Sequence, residues 1–204
     1  MIIFIVVCRV SPVTSMTTLR QFTCDDLFRF NGINLDPLTE MYGLSFYLQY
    51  LARWPEYFMV AESPSGSLMG YIMGKSEGQN ENWHGHVTAV TVGPQYRRLG
   101  TTSSFSSLTN TVFSGLANKL MQGLEELSDS KNCYFVDLFV RVSNTIAISF
   151  YKKLGYTVYR TVLQYYSGDK DEDAYDMRKA LTMDVNKKSV IPLPSPVHMD
   201  ELDY

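Results

Sequence analysis

At 204 residues the chain has room for one domain and a small appendage, and two full domains would be cramped. A hydrophobic share of 45%, with 14 tyrosines and 11 phenylalanines, excludes a wholly disordered polymer. The 18 Lys and Arg against 21 Asp and Glu leave a formal charge of −3, no global pull toward nucleic acid, although a local basic patch can still grip phosphate.

The chain opens MIIFIVVCRVSPVTS, where Ile2 to Cys8 form an apolar run far short of the roughly 20 residues of a membrane span. No basic residue precedes that run, as a signal peptide requires. Residues 1–15 are expected to be an extension outside the fold, which begins near Met16. Thr18 to Phe22 reads as a short strand, and Thr23 can cap a helix opening at Cys24 with Asp25 and Asp26 in its first turn. Asn31-Gly32 reads as a stop. Pro37 to Leu51 carries a second helical region, ended by Trp54-Pro55. Tyr57 to Glu62 and Leu68 to Lys75 form strands around the turn Pro64-Ser65-Gly66.

His84 to Val92 alternates, and a period of two puts His84, His86, Thr88, Val90 and Val92 on one face. Leu116, Leu120, Leu124 and Leu127 mark a helical stripe. Cys133 to Val140 is an aromatic-rich strand, Ser143 to Leu154 a helix stopped by Gly155, and Tyr156 to Tyr166 another strand. Past Ser167 the chain turns acidic and then proline-spaced, which reads as a solvated tail, with 181–204 flexible. The order predicts an α/β sheet covered by helices. Cys8, Cys24 and Cys133 form no CxxC pair, which suits a reducing compartment. His84, His86 and His198 lack metal-ligand spacing.

Residues 101–115, TTSSFSSLTNTVFSG, stand apart: nine of fifteen are Ser or Thr and none is charged. With that stretch set aside, a strand ending at Val92 meets the turn Arg97-Arg98-Leu99-Gly100 and then the helix at Leu116. Free backbone N–H groups, a glycine and the helix N-terminus form a phosphate cradle, and the two arginines add charge-assisted contacts. A plain basic surface turn is the alternative. In SNTIAISFYKKLGY, Asn144 and Tyr151 are seven apart and stack on one helix face. Asn144 can hydrogen-bond an amide-rich ligand and Tyr151 can donate a proton. The competing reading makes Asn144 a helix cap and Tyr151 a packing residue.

Read together, a strand, an RRxG turn opening a helix, a second strand and N-xx-A-xxx-Y-xxx-GY resemble the GCN5-related N-acetyltransferase (GNAT) family. The segments LRQFTCDDLFRF, INLDPLTEMYG, FYLQYLARWPEYFMVAE, LMGYIMGK, WHGHVTAVTV, FVDLFVRVSN and YDMRKAL are similar, within that family, to catalytic subunits of NatB-type N-terminal acetyltransferases. The resemblance runs from Met16 to about Val197 and implies a mixed, mostly antiparallel twisted sheet flanked by helices over residues 16–180. It implies acetyl transfer from acetyl-CoA to the α-amine of chains beginning Met-Asp, Met-Glu, Met-Asn or Met-Gln.

The resemblance also implies site roles. Arg97, Arg98, Leu99 and Gly100, with Gly115 and Ala117 of the G-x-A element, would hold the pyrophosphate of CoA, and Val90 to Val92 its pantetheine arm. Asn144 and Tyr151 would lie beside the cofactor, Tyr151 near the departing thiolate. His86 and Thr88 would read the second substrate residue, whose acceptor oxygen suits a histidine and a hydroxyl. Glu40, Tyr42, Tyr165 and Tyr166 would wall the substrate N-terminus, with Glu40 fixing the amine. Attack would be direct, because Cys133 has no paired histidine.

Implied partners are a helical-repeat auxiliary subunit, the ribosome and nascent chains, in the cytoplasm, with no membrane and no nucleic-acid specificity. Phe28, Leu35, Leu38, Phe46, Tyr47 and Tyr50 are the expected apolar contact surface. The segment 101–115 departs from the family at its cradle. It reads either as a surface loop or as a short intron retained in frame. The two functional expectations are accordingly an active acetyltransferase and a catalytically impaired, binding-only form.

Overall fold

The computed structural model describes residues 17–35, 40–97, 115–168 and 171–202. Expectations for 1–15, Leu38, Arg98, Leu99, Gly100 and 101–114 lie outside those residues. The alternating segments become strands β1 (Thr18–Gln21), β2 (Phe58–Glu62), β3 (Leu68–Glu77), β4 (His84–Val92), β5 (Phe135–Arg141) and β6 (Thr157–Tyr166). The apolar stripe from Leu116 becomes helix α3 (Leu116–Ser130), and the Asn-Tyr segment becomes α4 (Thr145–Lys153). Gly155, at φ 94°, ends α4 in a left-handed conformation that suits glycine.

Four sequence expectations change here. Asn31-Gly32 does not stop the chain but lies in a helical turn, α1 (Asn31–Asn34). Burial of Ile33 and Asn34 offsets the glycine: the Asn34 amide oxygen accepts from Tyr71 at 2.7 Å and Tyr47 at 3.3 Å. The second helical region narrows to α2 (Leu44–Arg53), because Gly43 is extended at φ −65°, ψ 153°.

The acidic stretch past Ser167 is not solvated throughout. Glu172–Ala180 is a strand, β7, between β5 and β6. Its charges hid it: Asp176 and Arg178 are buried but paired, with Arg160 Nε 2.9 Å and Arg178 Nη2 3.2 Å from the Asp176 carboxylate. Beyond it, Leu193 N–H donates to the Tyr159 carbonyl at 2.7 Å, Val197–His198 (β8) pairs with β6, and Leu202 is buried.

The eight strands form one sheet in the order β1-β2-β3-β4-β5-β7-β6-β8, with β4/β5 and β6/β8 the parallel pairs. One face packs α3 and α4 through Ile72, Val87, Leu120, Leu124, Ile148 and Met177. The other buries an aromatic cluster under α1 and α2, where Phe22 stacks on Phe58 at 4.1 Å. Each such side chain contributes about 1.5–3 kcal/mol by leaving water.

The pairing of β3 with β4 slips between Met73 and Gly74, opposite Ala89 and Val87, so Thr88 is an extra residue in β4. This bulge overturns the expectation that His84, His86, Thr88, Val90 and Val92 share one face. Val87, Val90 and Val92 pack on the α3 face, whereas Ala89 and the Thr88 hydroxyl meet the α2 side.

Candidate active site

β4 and β5 pair only over His84–Val87 and Phe135–Leu138. Beyond that point they part, and β4 keeps β3 on one edge while its other edge faces a cavity of about 1050 Å³. A strand edge presents backbone N–H and C=O groups, so this wall can pair with an extended, amide-bearing ligand. The cavity runs from Arg97 and Ala117 at one end, past Val90, Val92, Asn144 and Tyr151, to Glu40, Tyr42, His86, Thr88, Tyr165 and Tyr166 at the other.

At the first end, Arg97 Nε donates to the Val92 carbonyl at 2.8 Å, which holds the guanidinium at the strand terminus. Burial pulls its pKa below the usual arginine value. Gly115 is the N-cap residue of α3, and Ala117, two residues on, lines the cavity. Its small side chain leaves room beside the first helical turn, where N–H groups lack intrahelical acceptors.

Asn144 caps α4, its side-chain oxygen accepting from Ala147 N–H at 3.1 Å, as the competing reading held. It lines the cavity as well. Tyr151 combines both readings: its ring packs against the core and edge-on to Tyr156 at 6.0 Å, while the residue also lines the cavity. Burial pushes its phenol up to about 12, so near neutral pH it remains a donor.

At the other end, the Tyr50 hydroxyl meets the Thr88 hydroxyl at 2.8 Å, and Tyr42 donates to the Thr88 carbonyl at 3.4 Å. Tyr42 stacks on Phe46 at 4.5 Å, and burial, with Glu40 nearby, pushes its phenol up to about 12. Tyr165 and Tyr166 both reach the cavity, although neighbours on a regular strand point to opposite faces. A register shift in β6 between Val162 and Tyr166 makes this possible. Gln164 sits there at φ 51°, its N–H held by Asp173 at 2.9 Å. Tyr165 then stacks on Phe139 at 4.6 Å, and the Tyr166 hydroxyl donates to the Phe139 carbonyl at 3.2 Å.

The Glu40 carboxylate is already engaged: one oxygen accepts from Arg141 Nε at 3.0 Å and Nη2 at 2.9 Å. Arg141 also lies over the Tyr166 ring at 4.1 Å and 3.2 Å from Glu172. Sequence reasoning missed Arg141, Lys75, Phe139 and Asp137. Asp137 was the most visible, a lone carboxylate inside the apolar strand Phe-Val-Asp-Leu-Phe-Val. It is buried, and its Oδ1 lies 2.8 Å from His86 Nδ1. Burial opposes its charge, but His86 and His84 beside it hold the carboxyl down at about 2.

Cys133 is fully buried, and burial raises its thiol, so it is remote from any role as an attacking thiolate. Among the described residues there is no cluster that could hold a metal ion and no helix long and apolar enough to cross a membrane.

The sequence pattern of the acetyltransferase (GNAT) family matches residues 23–103 and 114–156, breaking inside the Ser/Thr-rich stretch. The chain is 60% identical to the N-terminal acetyltransferase B complex catalytic subunit NAA20 of Arabidopsis thaliana, over 93% of this chain and 99% of that protein. It is 57% identical to N-alpha-acetyltransferase 20 of Dictyostelium discoideum, over 92% and 99%. Among solved structures, Chaetomium thermophilum Naa20 in complex with a bisubstrate analogue superposes with a TM-score of 0.76 at 41% identity, covering 89% of this chain and 96% of that one. A NatB acetyltransferase complex bound to CoA and MES gives 0.68 at 46% identity, covering 80% and 99%.

Proposed function

The chain belongs to the acetyltransferase (GNAT) family, and from that premise we propose that it is the catalytic subunit of an N-terminal acetyltransferase of the NatB type. It moves the acetyl group of acetyl-CoA to the α-amine of proteins that begin Met-Asp, Met-Glu, Met-Asn or Met-Gln. The observation that carries this reading is one cavity with a free strand edge and Arg97 at one end and an aromatic, histidine-bearing chamber at the other. A long polar cosubstrate and a peptide terminus can enter from opposite ends and meet at Tyr151.

The cavity residues fit acetyl-CoA. The edge of β4 from Thr88 to Val92 would pair with the amides of the pantetheine arm, and Arg97 with the first turn of α3 at Ala117 would face its phosphates. Arg98, Leu99 and Gly100 would complete that cradle, with Gly115 behind it. Asn144 acts here as the cap that fixes the start of α4 and so the placement of Tyr151. Tyr42, Tyr165 and Tyr166 would enclose the initiator methionine. Glu40, held by Arg141, would face the ammonium group, and His86 and Thr88 would meet the second side chain.

The chemistry asks little of a base. A free α-amine has a pKa of about 7.7–8.0, so part of it is nucleophilic at neutral pH. The amine attacks the thioester carbonyl, a C–N bond forms, the C–S bond breaks, and the proton lost by the nitrogen passes to water. Tyr151, its phenol held protonated by burial, donates a hydrogen bond to the sulfur as it leaves as thiolate, and orientation along β4 supplies much of the rate.

The auxiliary subunit would cover the α1–α2 side, where Phe28 is 85% exposed and Leu35, Met41, Leu44 and Leu48 are also exposed. Tyr47 and Tyr50 belong to the core and not to that surface, and Phe46 is half-buried. Placement in the cytoplasm at the ribosome, next to nascent chains, follows from the same reading. Acetylation of a panel of peptides by the complex tests it. Turnover of peptides starting Met-Asp, Met-Glu, Met-Asn and Met-Gln over Ser- and Ala-starting ones is expected; equal turnover of an Ala-starting peptide would overturn it.

A further inference from the structure

His86 does not stand alone in the chamber. Its Nδ1 lies 2.8 Å from Asp137 Oδ1, and a carboxylate can only accept there, so Nδ1 carries the proton. The ring's other nitrogen, Nε2, then has two chemical identities. In the neutral ring it accepts hydrogen bonds; in the protonated ring it donates them. An Asn or Gln amide can satisfy the neutral ring with its NH₂ group. An Asp or Glu carboxylate can be bound only by the protonated ring.

Behind Asp137 lies a second, incomplete arrangement. His84 is almost fully buried, and its Nδ1 is committed to the Asn82 carbonyl at 2.6 Å. Its Nε2 faces Asp137 Oδ2 at 3.6 Å and Glu77 Oε1 at 3.9 Å. His84 Nε2 and Glu77 Oε1 are buried atoms without a hydrogen-bond partner. Two carboxylates and an imidazole nitrogen thus meet in a buried cluster beside the chamber.

The surrounding charges nearly balance. β3 contributes Lys75, the cross-strand partner of His86, with its Nζ 2.5 Å from Glu77 Oε2. Asp137 comes from β5, Asp176 and Arg178 from β7, and Arg160 from β6. The chamber walls add the phenols of Tyr50 and Tyr165 and, at the rim, the Glu40–Arg141 pair. Three cations, Lys75, Arg160 and Arg178, stand among three carboxylates, Glu77, Asp137 and Asp176, with the His84 and His86 rings beside Asp137. A substrate carboxylate adds a negative charge to this enclosure. His86 lines the same cavity as Lys75 and Arg141, and it alone of the three has a buried carboxylate, Asp137, already placed to hold its ring as an imidazolium.

We infer that Asp137 is a positioning residue that couples recognition of the second substrate residue to a proton, so that acidic second residues bind with proton uptake at His86 and amide ones without it. This deepens the proposed NatB-type function and rests on it. Asp137 fixes the ring tautomer and balances the imidazolium.

The test uses the complex with its auxiliary subunit and two probes, conjugates of CoA with a Met-Asp and with a Met-Asn peptide. Calorimetric titration at pH 8 in buffers of different ionisation enthalpy counts the protons exchanged. The Met-Asp conjugate is expected to take up about one proton more than the Met-Asn conjugate. In parallel, kcat/KM for Met-Asp peptides falls about tenfold per pH unit on the alkaline side relative to Met-Asn peptides. Asp137→Asn keeps an acceptor for Nδ1 but removes the charge. It should lower the Met-Asp to Met-Asn preference about tenfold and move the alkaline fall to lower pH.

Equal proton uptake by the two conjugates, or parallel pH profiles, would overturn the inference while leaving the functional reading intact. The proton count is made on the unaltered protein, so it decides the matter even if Asp137→Asn does not fold. Failure to acetylate any of the four Met-starting peptides would overturn the functional reading and this inference with it.

Discussion

Replacing Tyr151 by Phe isolates the chemistry of one hydroxyl. The ring keeps its packing against the core and its edge-on contact with Tyr156 at 6.0 Å. No hydrogen bond ties the hydroxyl to another described residue, so stability should change by no more than about 0.5 kcal/mol. What disappears is a donor beside the departing sulfur. A hydrogen bond to a charged group contributes about 1.5–3 kcal/mol, and about 1.4 kcal/mol is tenfold in rate, so kcat should fall roughly 10- to 100-fold.

KM for acetyl-CoA should stay within about twofold, because the lost interaction forms only as charge develops on sulfur. The phenol lies at about 12, so it remains protonated across the working range. The deficit should therefore be equal at pH 6.5 and pH 8.5, values chosen well below that titration. Thiol release with a saturating Met-Asp peptide measures this directly. An unchanged kcat at an unchanged melting temperature would refute the reasoning and leave Tyr151 a packing residue. A fall in kcat matched by a fall in stability would refute it as well.

Gly74→Ala should destabilise the fold by about 1–3 kcal/mol, read by chemical denaturation. A Cβ there would sit 2.6 Å from the His86 carbonyl oxygen and 2.6 Å from Leu124, at the bulge that shapes the chamber. Asp26 is buried and held down at about 2, chiefly by its hydrogen bond to Arg20, against an ordinary value of 3.8. Its stabilisation, about 2 kcal/mol, is full above pH 4 and is lost as pH falls through 2; Asp26→Asn should remove it at pH 7 and flatten that acid limb. Deleting residues 101–115 joins Gly100 to Leu116 and should tighten acetyl-CoA binding by about tenfold or more, the worth of one charge-assisted bond restored to the cradle. Equal affinities by titration would show that the segment leaves the cradle unaffected.

The chamber was legible chiefly through the family resemblance, since no spacing of their own marks His86, Thr88, Tyr165 and Tyr166 as one site. His86, Thr88, Tyr151, Tyr165 and Tyr166 are polar or aromatic residues in short, recognisable segments, and the structure brings them to one cavity. What the text concealed was backbone irregularity and pairing. The bulge at Thr88 leaves no signature in an alternating run, so Val90 and Val92 were assigned to the wrong face. β7 was missed because buried charges look solvated until their partners, Arg160 and Arg178 for Asp176, are known. Nothing near Glu40 in the sequence announces its partner, and only the fold brings Arg141, 101 residues on in the chain, onto it. Non-local electrostatic pairs of this kind have no period to read.

The most direct measurement of the central claim is an experimental structure of the catalytic and auxiliary subunits bound to a CoA–Met-Asp peptide conjugate. In that structure the pantetheine arm should run along the β4 edge from Thr88 to Val92, with the sulfur within hydrogen-bond reach of the Tyr151 hydroxyl, the methionine between Tyr42 and Tyr165, and the aspartate side chain at His86. A conjugate whose sulfur lies away from Tyr151, or whose second residue never meets His86, would contradict that claim.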